Sequence, residues 1–442
     1  MTANRLLPVV SVIWLITFGC FGLSRTADGG AQRESSTPSA VGLESQTAKT
    51  APALTLETDV ERILRKAESA KAVTTVPIEV NDKLVEAHQG STVPMGDFDM
   101  EALPILPFMQ TAGGPPFLFA DDPEYIRLPE AAVLRERVNP GPVRLYLYHC
   151  NGTTNTIRKI SAVIQNLSAE PMKFRFLRYS FPGVGHDYGQ LGRMGAKMFF
   201  SSLPQPAPRI IPPHAAEPLD DAVEKSQVSF NQLIHAWYEF ETDQPARITI
   251  VQTDPVTSSP VAAARIRDLL PPRSRSGAGR GYYPYSEYEI HNPPGMVYDT
   301  SMGAYQIMIA DGKLDRWLTG HDSSSTAPSI LKGNYGVLYR IKIHRTSSDG
   351  RALALLIWNA RTKSGCKAMS GCAQVDAGKF PAGTVLVPSD AQMLRGGNVA
   401  SVLQVYPPLA HGCTETFEIV YTPPGASCLP TPLLLVPFEM PK

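Results

Sequence analysis

Four cysteines crowd the C-terminal part of the chain, at Cys366, Cys372, Cys413 and Cys428. In an oxidising compartment such neighbours form disulfides. Four cysteines allow three connectivities, and the one closing the shortest loops, Cys366–Cys372 with Cys413–Cys428, is the expected arrangement. Cys150 stands apart. As a nucleophile it would need a base beside it, and His149 is adjacent. Neighbours on a strand point to opposite faces, however, so a buried thiol is expected there. Cys20 follows Gly19, but Thr17 stands where a lipidation box carries leucine, which weighs against a lipoprotein.

Other chemistries find little support. GxSxG, the elbow that presents a serine nucleophile, is absent. GAGRG at 277–281 has no strand before it and no Lys-Ser/Thr after it, so it is not a phosphate-binding loop. The nine histidines are scattered singly, and Cys366 to Cys372 is C-x5-C without a second pair. Gly185-His186-Asp187 and Gly320-His321-Asp322 place His-Asp pairs in loops, where they suit turn capping better than metal ligation. Asp97-Phe98-Asp99 is only a fragment of a calcium loop. No metal or cofactor is expected. A glycosidase needs two carboxylates across one bond, and 41 acidic residues offer no recognisable pair.

Aromatics give the best surface-binding hint. Tyr282, Tyr283 and Tyr285 crowd one segment, and Trp317 lies in a polar stretch. Exposed rings of this kind stack on sugar faces. Packing between domains would explain the tyrosines equally well. Trp237 and Trp358 sit in apolar strands and belong to a core.

The elements that must position these residues begin with an export signal over 1–27. Arg5 precedes the apolar run Leu6–Leu23, and Gly22, Ser24 and Ala27 supply small residues for cleavage. A retained anchor is the alternative, since ~18 apolar residues can just span a bilayer. Residues 28–53 lack large apolar side chains and read as a disordered tether. Over 54–140 a helix opens on the capping box Thr58/Glu61, followed by irregular Pro-rich structure with strands near Pro77–Val85. Strand patterns fill 141–258, including Val143–Cys150, Thr156–Leu167 and Met172–Ser180. Residues 259–295 hold a short helix near Val261–Leu270 and then Pro, Gly, Ser and Arg in linker proportions. Strands resume over 296–442.

The two strand-rich halves echo each other. RLYLYHCNGTTNTIRKISAVIQN parallels YGVLYRIKIHRTSSDGRALALLIWN, and WYEFETDQPARITIVQTDP parallels FEIVYTPPGASCLPTPLLLVP. This reads either as a duplication or as the strand–turn–strand repetition common in all-β chains. The fold expected is mainly β: two β-sandwich domains, immunoglobulin-like or jelly-roll-like, with a short N-terminal helical arm. The 40 prolines agree, because proline is excluded from helix interiors. Equal counts of 41 basic and 41 acidic residues leave no net field for nucleic acid, and the membrane enters only through the export signal.

DDPEYIRLPE, VRLYLYHCNG with its following QNLSAEP, RGYYP and GNYGVLYRIKI resemble segments of a cyanobacterial-type family of secreted bacterial proteins of unknown function. The resemblance covers about residues 120–440. VPIEVNDKLVEAHQGSTVPM is similar to part of the copper-amine-oxidase-like N-terminal module of related exported proteins, a surface add-on without oxidase activity. The family implies a compartment and an architecture and brings no catalytic residues. The expected role is an exported, non-enzymatic binding or scaffolding protein, secreted, periplasmic or in the cell envelope. Its expected partner is a cell-wall or extracellular polysaccharide or another envelope protein. The alternative is a secreted hydrolase acting on polysaccharide.

Overall fold

Strand Gly141–Asn151 is buried on both faces. Val143, Leu145 and Leu147 enter one core, whereas Tyr146, Tyr148 and Cys150 enter another. Phe117 and Phe119 alternate with Leu118 and Ala120 in the same way on the parallel neighbour. A strand with two buried faces has no exposed polar stripe, which is why apolar and aromatic residues dominate here and Arg144 and His149 are themselves buried.

The computed structural model describes residues 76–272, 278–360, 366 and 368–441; the export signal, the tether and the helix expected from Thr58 lie outside them. The architecture is mainly β, built as two sandwiches. The first has a central sheet in the order Arg209–Ile211, Met172–Ser180, Leu233–Thr242, Gly141–Asn151, Phe117–Ala120, and it continues through Arg280–Tyr283, Leu318–His321 and Pro328–Leu331. Facing it is the outer sheet Ala216–Pro218, Lys159–Asn166, Ala246–Thr253, Ala131–Val138. The second sandwich sets Gly383–Val387, Gly371–Val375, Thr414–Tyr421, Leu338–Thr346, Glu287–His291 and Met109–Gly113 against a sheet of Thr92–Pro94, Val399–Tyr406, Ala352–Trp358, Thr431–Phe438 and Tyr305–Ile309.

The two sandwiches repeat one topology. Nine strands of the first, from Phe117–Ala120 to Ala246–Thr253, correspond in chain order to nine of the second, from Glu287–His291 to Thr431–Phe438. Each pairing recurs with its direction. The unusual parallel pair Phe117–Ala120/Gly141–Asn151 recurs as Glu287–His291/Leu338–Thr346, and every other corresponding pair is antiparallel. The echo in the sequence is therefore a repeat of the fold, and the first copy opens at Phe117, ahead of the expected boundary at 141.

Among the described residues, three α-helices of seven residues or more sit among the sheets. α1 (Ile78–Glu86) replaces the strands expected near Pro77–Val85; Val80 and Leu84, four apart, form its buried face. α2 (Tyr188–Ser201) is capped by Asp187, whose Oδ1 accepts from the Gln190 N–H at 3.0 Å. It lies on the central sheet, with Phe199 stacked on Trp237 at 3.7 Å between ring centroids. α3 (Ser259–Arg265) matches the helix expected in that region. The rest of the stretch read as linker contributes Arg280–Tyr283 to the central sheet and Glu287–His291 to the second sandwich. The buried Arg280 guanidinium is satisfied by Asp322 Oδ2 at 2.8 Å, by Ser324 and by the Asp122 and Leu270 carbonyls.

A second buried arginine joins the sandwiches. Arg144, on the central strand, binds Glu239 at 2.5 Å, Glu287 of the second sandwich at 2.7 Å and the Ser286 carbonyl at 2.9 Å.

His149 and His235 lie at the same wall, both without solvent exposure, and their Nδ1 atoms sit 3.0 Å from the Pro123 and Leu147 carbonyls. Burial pushes each imidazole down to about 4. Each is protonated more readily in the unfolded chain, so its stabilisation is complete above pH ~6.5 and declines as pH falls toward 4, by about 3 kcal/mol per histidine. Urea unfolding at pH 7 and pH 4 should show His235→Gln losing about half as much of this increment as the unmutated chain. An identical pH dependence in the two proteins would mean His235 is not buried as a neutral ring.

Candidate functional site

The same central strand builds the floor of a cavity of about 530 Å³. Tyr146 and Tyr148, two apart on one face, line it with Phe119, the register partner of Tyr146. The rings form a ladder: Phe119 and Tyr146 stack at 5.2 Å, Tyr146 and Tyr148 at 6.4 Å, with interplanar angles of 17° and 13°. Tyr146 Oη accepts from the Gly425 N–H at 2.9 Å, tying the floor to a loop of the second sandwich. Burial raises the phenols of Tyr146 and Tyr148 far above their ordinary range, so both stay neutral.

One wall is the turn after Phe117–Ala120, carrying Asp121 and Glu124. Burial, with Glu124 and Asp122 nearby, raises the Asp121 carboxyl well above the usual carboxylate range. Its Oδ1 is sealed from solvent and has no hydrogen-bond partner. Burial also raises Glu124. An orphaned, desolvated carboxyl facing a cavity costs stability and needs an explanation. Tyr188, the first residue of α2, completes this side, with its hydroxyl 2.6 Å from the Asn231 carbonyl and 2.9 Å from Tyr125 Oη.

The opposite wall is the loop 310–317. Asp315, fully buried, anchors it by accepting from Tyr339 Oη at 2.6 Å, the Gln110 amide at 2.8 Å and the Ala310 N–H at 2.5 Å. Burial pushes the Asp315 carboxyl up to about 6. Asp311 caps the turn by accepting from the Lys313 and Asp315 N–H groups. Trp317 then lies over Gly312, whose φ is +69° and whose place no side chain could take: a Cβ there would lie 2.6 Å from the indole. Trp317 Nε1 donates to the Ala310 carbonyl at 3.4 Å. Lys332, Gly333 and Tyr335 follow from the next turn, and Cys366 with Ala426, Ser427 and Leu429 closes the rim.

Of the four aromatics singled out in the sequence, the cavity takes Trp317 only. Tyr283 is fully buried with its hydroxyl 2.8 Å from Ser329 Oγ, Tyr282 stacks on His321 at 5.1 Å, and Tyr285 is exposed elsewhere. They form no common platform, because strand alternation sends Tyr282 and Tyr283 to opposite faces. The residues that build the site, Asp121, Glu124, Tyr146, Tyr148, Tyr188 and Tyr335, carried no motif. The aromatic period-two run LYLY was the signal available.

The disulfide differs from the expected pairing. Cys366 is bonded to Cys428, with Cα atoms 5.6 Å apart, and Cys372 and Cys413 are free. Cys413 precedes strand Thr414–Tyr421 and Cys428 follows it, so some 25 Å of extended chain separates them at ~3.4 Å per residue. Cys372 points into the core from strand Gly371–Val375, and burial pushes its thiol up to about 12. Cys150 is likewise buried and pushed up to about 12, the expected inert thiol. The two His-Asp pairs act as turn and packing elements: Asp187 caps α2, and Asp322 accepts from Arg280 and Ser324. Among the described residues no group of three or more His, Cys, Asp or Glu is placed to hold a metal ion.

No protein-family model matches the chain, and no curated protein matches it. Among solved structures, the CUB1-EGF-CUB2 domains of rat MASP-1 align over 74% of this chain and 96% of theirs at 8% identity, with a TM-score of 0.16. The CBM22-1-CBM22-2 tandem of Paenibacillus barcinonensis Xyn10C aligns over 65% and 74% at 9% identity, TM-score 0.12. Bacillus subtilis oxalate decarboxylase aligns over 75% and 77% at 12% identity, TM-score 0.09. Scores this low carry no argument about fold or function.

The thiol assignment is directly testable. Alkylation of the native protein followed by peptide mapping should modify Cys413 alone among residues 76–441, with Cys150 and Cys372 reacting only after unfolding. A non-reduced digest should yield the Cys366 and Cys428 peptides joined. Rapid native labelling of Cys372, or a Cys413–Cys428 linked peptide, would contradict the arrangement.

Proposed function

We propose that the chain is an exported, non-enzymatic binding protein of the cell envelope or extracellular space, and that the cavity between Trp317 and the tyrosine ladder receives a saccharide. The observation that carries this reading is the combination at one site: a tyrosine ladder on the floor, Trp317 on one wall and the Asp121 and Glu124 carboxyls on the other. Sugars present apolar faces that stack on aromatic rings and hydroxyls that bond to carboxyl oxygens, and concave sites with a few convergent polar groups are where such ligands bind. The disulfide suits an oxidising compartment. Among the described residues no helix is long and apolar enough to cross a membrane. Export through the N-terminal segment and membership of the secreted family resembled by 120–440 belong to the same proposal.

A second reading, a hydrolase acting on polysaccharide, is favoured by one observation. Asp121 is raised well above the usual carboxylate range beside Glu124, and a carboxyl held protonated can act as a general acid.

A glycan array probed with the protein should select one polymer class, and titration with an oligosaccharide of that class should change Trp317 fluorescence. Trp317→Ala should weaken binding on the order of tenfold, equal to ~1.4 kcal/mol. A blank array, or unchanged affinity in Trp317→Ala, would defeat the binding reading. Release of new reducing ends that Asp121→Asn abolishes would establish the hydrolase instead.

A further inference from the structure

The repeat allows the same face to be compared in its two copies. In the second sandwich, the outer faces of Ala352–Trp358 and Thr431–Phe438 are apolar and buried. Val80, Leu84, Phe98 and Met100 of the N-terminal segment belong to the same core. In the first sandwich the equivalent face, on Lys159–Asn166, Ala246–Thr253 and Ala131–Val138, is covered at Ala132 and Val251 by Ala262 of α3 and beyond that carries two rows of side chains. One row is Val163, Thr249 and Arg135; the other is Gln165, Arg247 and Arg137. Arg247 stands directly across from Arg137, a like-charge pair that destabilises a sheet. Arg267, just beyond α3, borders the same hollow, which has a volume of about 430 Å³.

Outside the hollow, Arg144, Arg175, Arg209, Arg265, Arg280, Arg340, Arg345 and Arg351 have carboxylates within 4.0 Å, whereas others, such as Arg193, bind carbonyls and amides instead. Among the described residues Arg135, Arg137, Arg247 and Arg267 have no such partner. Arg135 spends its donors on the Ala263, Ile266 and Arg267 carbonyls, which holds the end of α3 and leaves its positive charge uncompensated by any ion pair. Arg247 Nη1 donates to Gln165 Oε1 at 3.2 Å, which fixes the guanidinium and turns the Gln165 amide into a further available donor. Burial and the nearby Arg247 both depress the Arg135 guanidinium, partly offset by the Asp268 carboxylate.

We propose that this hollow binds a tetrahedral oxyanion, the sulfate or phosphate group of a small monoester, with Arg247 as the principal ligand and Arg137 and Arg267 flanking it. Planar guanidinium forks match such anions with two bonds each. The apolar side of the hollow, Val163, Ala263 and Ile266, accommodates the organic body of the ester. The site is independent of the aromatic cavity.

Calorimetric titration with glucose 6-sulfate, glucose 6-phosphate, inorganic sulfate and inorganic phosphate tests it and separates the sources. At least one monoester should bind more tightly than its free inorganic anion, and affinity should fall as salt rises. Arg247→Gln should weaken binding at least tenfold and, without ligand, raise the Tm by relieving repulsion. Arg267→Gln, on an exposed side chain, should weaken it severalfold and serves if Arg247→Gln fails to fold. No binding by any of the four probes, or equal affinity in Arg267→Gln and Arg247→Gln, would overturn the proposal. So would a Tm that falls in a folded Arg247→Gln variant whose binding is intact, since the arginines would then hold the fold and not a ligand.

Discussion

The structure depends on one sheet being buried from both sides. Strand Gly141–Asn151 gives its odd-numbered apolar residues to the first sandwich and its tyrosines to the core shared with the second. Each large side chain removed from water contributes roughly 1.5–3 kcal/mol, so the two cores draw on the same backbone and neither is complete without it. Arg144 and Arg280 reinforce this wall. Both are almost wholly buried, and both bind partners from segments far apart in the chain. Removing one partner of such a buried pair costs about 3–5 kcal/mol, because the remaining charge is stranded.

The cavity is a consequence of that wall. Where the central sheet turns from Phe117–Ala120 into Asp121 and Glu124, loops of the second sandwich reach over Tyr146 and Tyr148 without filling the space above them. The hydrogen bond from Gly425 to Tyr146 and the buried carboxyl of Asp315 hold those loops at a fixed height. Asp121 lines the hollow with a buried carboxyl, one oxygen of which has no hydrogen-bond partner. The outer face of the first copy is partly covered by α3, whose Ala262 packs on Ala132, Val163 and Val251, and carries arginines beside that cover.

Strands and turns were legible in the sequence because period-two alternation and NG or Pro turns are local signals, whereas the sequence echo left a duplication and generic strand–turn–strand repetition both open. What was not legible follows from long-range pairing. PPRSRSGAGRGYYPYSEY has the composition of a solvated linker, yet Arg280 is neutralised by Asp322 and Tyr283 is packed in the core, and no local pattern announces a partner 42 residues away. Val80 and Leu84 form a helical face too short to stand out among prolines. The nearest-neighbour disulfide rule failed since strand Thr414–Tyr421 carries Cys413 and Cys428 to opposite ends. Trp317 was recognised by type; Asp121 and Glu124 were not, because an acid acquires its character from burial that the sequence does not display.

If both sandwiches share one wall, they cannot unfold separately. Differential scanning calorimetry of the chain measures this most directly. One endotherm, with calorimetric and van't Hoff enthalpies equal, is the result a shared sheet requires. Two resolved transitions, or a calorimetric enthalpy near twice the van't Hoff value, would show two independent domains and contradict it.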